Sequence, residues 1–389
     1  MIELLASAVE NNDPNLLSKI FDINFINKSY NSLREIAENP HIVKTRIRTK
    51  PWDDILINIA NMTLCAKGMI TADGNTTEEL KYFSKATSLL LQCRNQIDIE
   101  ICCSIYRTIS QTCLYFSSND TLYNDVTTLL RRINNSILIQ KAKIQMASNN
   151  PTLAVVNAIA RINLLHDNYD NAETAFGSLD QPEEINSDSY NVGELATFYF
   201  LKGKVDMVYG HRNSAYQEFK KSLQYIPLNY KKDRRLVLLH FIPVSLSFGQ
   251  IPTDELLKKY DLYNLYSNFT TAISTGNLTL FNQELNNKQL FLIHYGIWEM
   301  IVYSRRILMR RILQMAFDYS DTNRLPINYF QSALCLFGDY SYEDTVLELS
   351  NLIFEKLAMA NVAYQLNLVV FKDKNKDEFR LPDPEESDE

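Results

Sequence analysis

The feature that most constrains the fold is a repetition of helix pairs that begins after Pro151. Residues 152–176 and 192–226 each read as an apolar helix, a short polar turn and a second helix, with Ala and Phe or Tyr four residues apart. This pattern is typical of tetratricopeptide-like hairpins, although their full consensus is absent. Such pairs stack into a right-handed solenoid in which neighbours supply each other's core. Small residues such as Gly203 and Ala215 predict a close approach of neighbouring helices.

The length and composition agree with a mostly helical body. A single core stops growing at about 250–300 residues, so 389 residues imply two packed units or one repeat-built body. With 10 glycines and 11 prolines, the chain favours long helices with short connections. The longest weakly charged run, residues 236–249, contains Pro243 and is shorter than the roughly 20 apolar residues of a membrane span. We therefore predict that residues 236–249 form a core segment. The N-terminus lacks the basic region of a secretory signal, so we do not expect secretion.

The C-terminal part follows a different pattern. Two helices are predicted at residues 327–338 and 342–364, and they run into a segment of strand propensity that contains Val369 and Phe371. Helix, turn, helix and a small hairpin are the plan of a winged helix. From Leu381 onward the chain holds five acidic and no basic residues, which predicts a disordered tail.

A helical-repeat solenoid that ends in a winged helix resembles PCI-domain proteins. Residues 234–301 resemble the PCI domain-containing protein 2 family, which supplies the PCI subunit of the TREX-2 mRNA export complex. The resemblance is carried by IPV at residues 242–244, IPTDELLKKY at 251–260 and STGNL at 274–278. We therefore expect an all-α fold, a tetratricopeptide-like solenoid ending in a winged-helix PCI module with a small β-wing. The expected divisions are an N-terminal helical region (1–145), the helical repeat (146–290), the winged helix (291–373) and the acidic tail (374–389).

The resemblance also implies a function and partners. It implies a non-enzymatic scaffold or adaptor of a nuclear mRNA export complex, which couples transcription to export at nuclear pores. The implied partners are a GANP-type scaffold protein, a small acidic Dss/Sem-type peptide, and RNA and DNA bound weakly and without sequence preference by the winged-helix region. A nuclear location follows, with the cytoplasm left open. Two alternatives remain: a PCI subunit of a signalosome-like or splicing-linked complex, and a protein-only scaffold without nucleic-acid contact.

The candidate nucleic-acid site lies on one predicted helix, residues 293–315. At 100° per residue, its buried stripe contains Ile297, Ile301, Leu308, Ile312 and Met315. Arg306 and Arg310 project to the far side, where we expect them to be exposed. Unpaired like charges one turn apart fit phosphate contacts by the base of a winged helix. A solvated helix face is the alternative interpretation.

The neighbouring arginines are less decisive. Arg305 lies close to the stripe, so its guanidinium must snorkel or pair with an acid, while Arg311 lies on the opposite flank. Either could equally be structural. Where the resembled family tends to read Tyr-Arg-Asn-Leu, this chain reads Met-Arg-Arg-Ile at residues 309–312, so the arginine is kept at Arg310 and another is added.

Two further basic runs are candidates, although both also fit ordinary loops. Lys372 and Lys374 lie beside the predicted wing. A secondary basic patch precedes the long apolar helix; its members are Lys231, Lys232, Arg234 and Arg235. The chain has 39 Lys and Arg against 46 Asp and Glu. This acidity disfavours tight binding of nucleic acid by the chain alone and favours a surface shared with a basic partner.

Catalytic and metal-binding patterns are absent from the sequence. No phosphate-binding glycine loop, zinc-protease or nucleophile-elbow motif occurs, and the five histidines are scattered. The six cysteines form no CxxC pair, which predicts buried, reduced thiols. We therefore expect no enzyme activity, cofactor, metal ion or small-molecule substrate.

Overall fold

The computed structural model describes residues 2–11, 13–20, 99–114, 122–145, 150–177, 190–320, 322–372 and 378–385, with a few isolated positions between them. The chain divides into two compact units, Met1–Leu201 and Lys202–Glu389. Four parts are expected from the sequence, whereas the structure divides into two. The four-part division stays a prediction. Helices are numbered below in chain order among the described residues.

The first unit is built of helices. They are α1 (Ile2–Glu10), α2 (Pro14–Ile20), α3 (Ile99–Cys113), α4 (Tyr123–Ile139), α5 (Lys141–Gln145), α6 (Thr152–Leu165), α7 (Tyr169–Gly177) and the first part of α8 (Val192–Val208). Helix α6 packs against α3, α4 and α7, so most of its side chains are buried. The buried Asn163 side chain accepts a hydrogen bond from Tyr123 Oη at 2.7 Å and donates to the Ile159 carbonyl at 2.7 Å. These bonds satisfy polar groups that would otherwise destabilise the core.

The second unit begins with further helix pairs. They are α9 (Arg212–Tyr225), α10 (Lys231–Ser247), α11 (Asp254–Lys259), α12 (Tyr263–Thr275) and α13 (Leu278–His294). Helix α9 packs on α10, and α12 packs on α13. The prediction for Gly203 is confirmed, because a Cβ atom there would lie 2.9 Å from Phe219 Cε1. The run at residues 236–249 is mostly buried, which confirms it as a core segment.

A winged helix completes the second unit. Helix α14 (Trp298–Asp318) leads into β1 (Arg324–Pro326), α15 (Ile327–Cys335) and α16 (Tyr342–Phe354), followed by β2 (Ala360–Ala363) and β3 (Leu368–Phe371). Both outer strands pair antiparallel with β3 in the order β1-β3-β2. The predicted fold class, helical repeats ending in a winged helix with a small sheet, is confirmed. The first strand, β1, was not predicted.

The C-terminal segment departs from the predicted disordered tail. Residues 378–385, here named the C-terminal strap, lie against the second unit. The main-chain N–H of Met359 donates to the carbonyl oxygen of Glu378 at 2.8 Å. The Phe379 ring is 5% exposed, with its centroid 5.7 Å from that of Phe317 and 5.3 Å from that of Phe371. For these residues the prediction of disorder is wrong, because a buried aromatic ring anchors an otherwise acidic segment.

Two predictions concern thiols and membranes. Cys102, Cys103 and Cys113 are free and buried, as predicted, whereas Cys335 is exposed, contrary to the prediction. The other two cysteines lie outside the described residues. None of the helices in the described parts of the chain is long and apolar enough to span a bilayer.

Candidate functional site

Helix α14 carries the arginines singled out from the sequence, and its packing decides what they contact. Ile297, Ile301, Leu308 and Ile312 are buried, as predicted, while Met315 is half-buried. Further residues of the helix are also buried, because α10, α12 and α13 as well as α15 and α16 pack against it. The surface opposite the predicted stripe is therefore largely covered.

Two of the arginines are ion-paired with helix α16. Arg305 Nη1 lies 3.0 Å from Glu348 Oε1, so of the two predicted alternatives the structure shows pairing with an acid. Arg306 Nη1 lies 3.2 Å from Glu355 Oε1, and both side chains are mostly buried. The prediction that Arg306 is exposed and unpaired is wrong, because its acid comes from another helix. Because Arg305 and Arg306 are adjacent, the two pairs fasten Glu348 and the C-cap residue Glu355 of α16 to one place on α14.

A third group strengthens the contact at Glu355. Tyr303 Oη donates to Glu355 Oε2 at 3.1 Å, and burial raises the pKa of this phenol. The guanidinium carbon of Arg212 lies 3.8 Å from the centroid of the Tyr303 ring, which is the geometry of a cation–π contact. Helix α9 thereby contacts α14 beside the winged helix.

Arg310 is also engaged within the chain. Its Nε donates to the carbonyl oxygen of Arg380 at 3.0 Å, and its Nη2 donates to that of Phe379. Burial lowers the pKa of this guanidinium, and the neighbouring Arg311 lowers it further. The prediction that Arg310 is exposed is wrong, because the C-terminal strap covers it.

The remaining candidates near the wing differ in exposure. Arg311 is half-buried, and its Nη1 donates to Gln314 Oε1 at 3.2 Å. Lys372 is exposed at the end of β3. Lys374 lies outside the described residues. Six arginines and lysines were proposed around the winged helix. Arg305 and Arg306 form ion pairs, while Arg310 and Arg311 donate hydrogen bonds to other groups of the chain.

The secondary basic patch divides into a structural residue and surface residues. Arg234 donates to Tyr260 Oη at 3.0 Å and to the carbonyl oxygens of Leu223 and Ile226 at 2.9 and 2.6 Å, so it ties the end of α9 to the start of α10. Arg235 is exposed, with Nη2 3.8 Å from Asp261 Oδ2. Lys231 and Lys232 are exposed in the first turn of α10.

Helix α16 presents a surface that the sequence analysis did not consider. Its outward stripe contains Leu347 and Phe354, 60% and 88% exposed, and no Lys or Arg occurs in the helix. Tyr364 and Leu366, in the turn between β2 and β3, are also exposed, and Tyr364 Oη lies 3.4 Å from Ser350 Oγ on the same stripe. We name these four residues (Leu347, Phe354, Tyr364 and Leu366) the apolar face. Exposed apolar patches mark protein interaction sites. The sequence contains an indication of this face, because Leu347 and Phe354 are seven residues apart and therefore lie on one side of a helix.

Acidic groups stand at one end of the apolar face. Glu343 and Asp344 occupy the first turn of α16 and are exposed. Asp344 and Ser341 form a capping box, and the Ser341 hydroxyl and N–H lower the pKa of Asp344. Because carboxylates repel phosphate, this helix is unsuited to docking on a nucleic-acid backbone.

Helical repeats that run into a winged helix are the arrangement expected of a PCI-domain protein. Curated proteins named PCI domain-containing protein 2 homolog are similar to this chain. The protein from Dictyostelium discoideum is 26% identical over 226 residues, which cover 58% of this chain and 52% of that protein. The protein from Drosophila melanogaster is 25% identical over 193 residues, or 49% of each chain. The resemblance inferred from the residues is thereby confirmed.

A differently named relative has a comparable similarity. Protein CSN12 homolog from Gibberella zeae is 26% identical over 192 residues, which cover 45% of this chain and 41% of that protein. No family model matches the chain. The chain spans about half the length of the curated relatives it matches.

Proposed function

We propose that the chain is a non-catalytic scaffold subunit of a nuclear mRNA export complex of the TREX-2 type. The observation that carries the proposal is the similarity to PCI domain-containing protein 2 homologues from distant species. The exposed apolar face on the winged helix supports a scaffold role, since it offers a surface for another subunit. Among the described residues, no group of three His, Cys, Asp or Glu side chains could hold a metal ion.

The proposal includes partners and a location. The partners are a GANP-type scaffold protein and a small acidic peptide of the Dss/Sem type, and the site of action is the nuclear pore, where transcription is coupled to export. RNA and DNA are bound weakly and without sequence preference, through contacts to the phosphate backbone. The net charge of -7 favours a nucleic-acid surface that is shared with a basic partner.

A second candidate function is membership of a signalosome-like complex. The similarity to the CSN12 homolog favours it, because its identity and coverage are close to those of the PCI domain-containing protein 2 homolog from Drosophila melanogaster. The two candidates share the scaffold role and differ in the subunits that the winged helix binds.

The composition of the native complex distinguishes these candidates. The tagged full chain is recovered from nuclear extract and its partners are identified by mass spectrometry. Recovery of a GANP-type scaffold with a small acidic peptide supports the export complex. Recovery of signalosome-like subunits instead would replace the first candidate by the second.

The apolar face gives a sharper test of the scaffold role. We expect the double substitution Leu347→Asp and Phe354→Asp to reduce recovery of the main partner at least tenfold. Burying a Leu or Phe side chain is worth about 1.5–3 kcal/mol, and about 1.4 kcal/mol corresponds to a factor of ten in affinity. Both side chains are exposed, so the fold should be retained, which circular dichroism checks.

Tyr319→Asp is the matched control. This side chain is 93% exposed and lies outside the apolar face, so it tests the effect of an added surface carboxylate alone. Equal recovery of partners with the double variant and the control would show that the apolar face is not the docking surface.

A further inference from the structure

The C-terminal strap fills a groove on the second unit. At one end, Arg310 of α14 donates hydrogen bonds to the carbonyl oxygens of Phe379 and Arg380. At the other end, Gln217 Nε2 of α9 donates to the carbonyl oxygen of Pro384 at 3.1 Å. Between them, Leu381 lies directly over Gly249, where no side chain could be accommodated beneath it. The groove therefore runs between α9 and α14 and crosses the end of α10.

Two cationic side chains contact the strap in this groove. Arg310 of α14 donates hydrogen bonds to its main chain, and Lys220 of α9 donates to the side chain of Glu385. Positive charges along a groove attract a chain of negative charges.

The strap has the complementary charge. It carries three acidic residues, Glu378, Asp383 and Glu385, against one basic residue, Arg380. Glu385 Oε1 lies 3.2 Å from Lys220 Nζ. Its carbonyl oxygens accept from Arg310 in the way that phosphate oxygens accept from arginine. The strap is thus an intramolecular occupant that supplies oxygen acceptors to a basic groove.

We propose that this groove is a binding site for the phosphate backbone of single-stranded RNA and that RNA must displace the strap to enter it. The inference rests on the RNA binding included in the proposed function. Competition with a tethered occupant lowers the apparent affinity in proportion to the fraction of molecules in which the groove is open. On this proposal the competition keeps RNA binding by the chain alone weak, and release of the strap strengthens it.

Affinity measurements test the competition. A fluorescent oligouridine is titrated with the full chain, with a chain that ends after residue 377, and with a chain that ends after Glu385. We expect the chain without the strap to bind at least tenfold more tightly than the full chain. The chain that ends after Glu385 keeps the strap and should match the full chain. Arg310→Gln in the chain without the strap should remove the gain.

Hydrogen exchange tests the displacement in the full chain, so the proposal does not depend on the folding of a shortened one. The Met359 amide donates to the Glu378 carbonyl, and this bond breaks when the strap leaves. We expect exchange at Met359 to accelerate when the oligouridine saturates the protein. A purely structural strap would show unchanged exchange.

The outcomes separate this inference from the proposed function. RNA binding with unchanged exchange at Met359 overturns the inference alone, as does a folded chain without the strap that binds no more tightly than the full chain. If neither the full chain nor its complex with recovered partners binds RNA, both the inference and the nucleic-acid part of the proposed function are wrong. An acidic peptide that accelerates exchange where RNA does not would assign the groove to a protein partner instead.

Discussion

Replacing Phe379 by alanine is expected to lower the free energy of unfolding of the second unit by about 3–5 kcal/mol, the usual cost of truncating a buried aromatic side chain. The ring is almost fully buried against Phe317 and Phe371, whose own centroids lie 4.2 Å apart. Its removal leaves a cavity between α14 and the sheet. Denaturant unfolding, followed by the fluorescence of Trp298 with Trp52 replaced by Phe, measures the effect in the second unit.

Arg380→Ala provides the control for this substitution. The Arg380 side chain is exposed, and its contribution to the strap is a main-chain carbonyl that alanine retains. Exposed substitutions of this kind change stability by no more than about 0.5 kcal/mol. If Phe379→Ala and Arg380→Ala gave the same denaturation curve, Phe379 would contribute no more than a surface residue. The measured difference also limits how strongly the strap can compete with a ligand for the groove.

The regular part of the fold could be predicted because it is local. Apolar periodicity predicts the helix pairs from α6 onward, and it correctly predicts the burial of three residues of α14 and of its N-cap residue, Ile297. Strand β1 could not be predicted in this way. It has three residues and ends in Pro326, and it exists because Leu325 pairs with Val369, 44 positions further along the chain. Such a strand has no period of its own to detect.

The arginine site shows where helical geometry stops being sufficient. The angles of Arg306 and Arg310 relative to the buried stripe were sound, but exposure depends on what else packs against the helix. Glu355 and the carbonyl of Phe379 lie 49 and 69 positions away along the chain. Reversing the charge of Arg306 would therefore break an ion pair within the winged helix. Loss of RNA binding in that variant would not identify Arg306 as a phosphate contact.

The strap was missed for a related reason. The acidic composition of the strap predicts disorder. A composition is an average over all positions, so it does not show which single residues can be buried. The contacts of Phe379, Leu381 and Pro384 with the rest of the unit depend on single residues within that average. A Phe and a Leu two residues apart in an otherwise polar tail are the only signal that the sequence contains.

His240 is expected to make the second unit less stable in mild acid. Its side chain is 2% exposed, and burial lowers its pKa from 6.5 to about 3, with a smaller contribution from the positive charge of Lys204. Hydrogen bonds with the main chain at Leu236 and Tyr295 oppose the shift. The unfolded chain takes up a proton below about pH 6.5, whereas the folded protein does not until about pH 3. The stability that depends on neutral His240 is therefore complete above pH 6.5 and is lost progressively below it.

The size of this effect follows from proton linkage. Between pH 6.5 and pH 4.5 the free energy of unfolding should fall by about 2–3 kcal/mol on account of this residue. His240→Gln keeps a neutral polar side chain that does not titrate, so the difference in stability between the two proteins isolates the histidine from the carboxylates that both contain. We expect this difference to shrink as the pH falls. Only the protein with His240 has an unfolded state that is stabilised by proton uptake at this residue. A difference that stays constant from pH 7 to pH 4.5 would mean that His240 has the same pKa in the folded and the unfolded protein, as a solvated imidazole does.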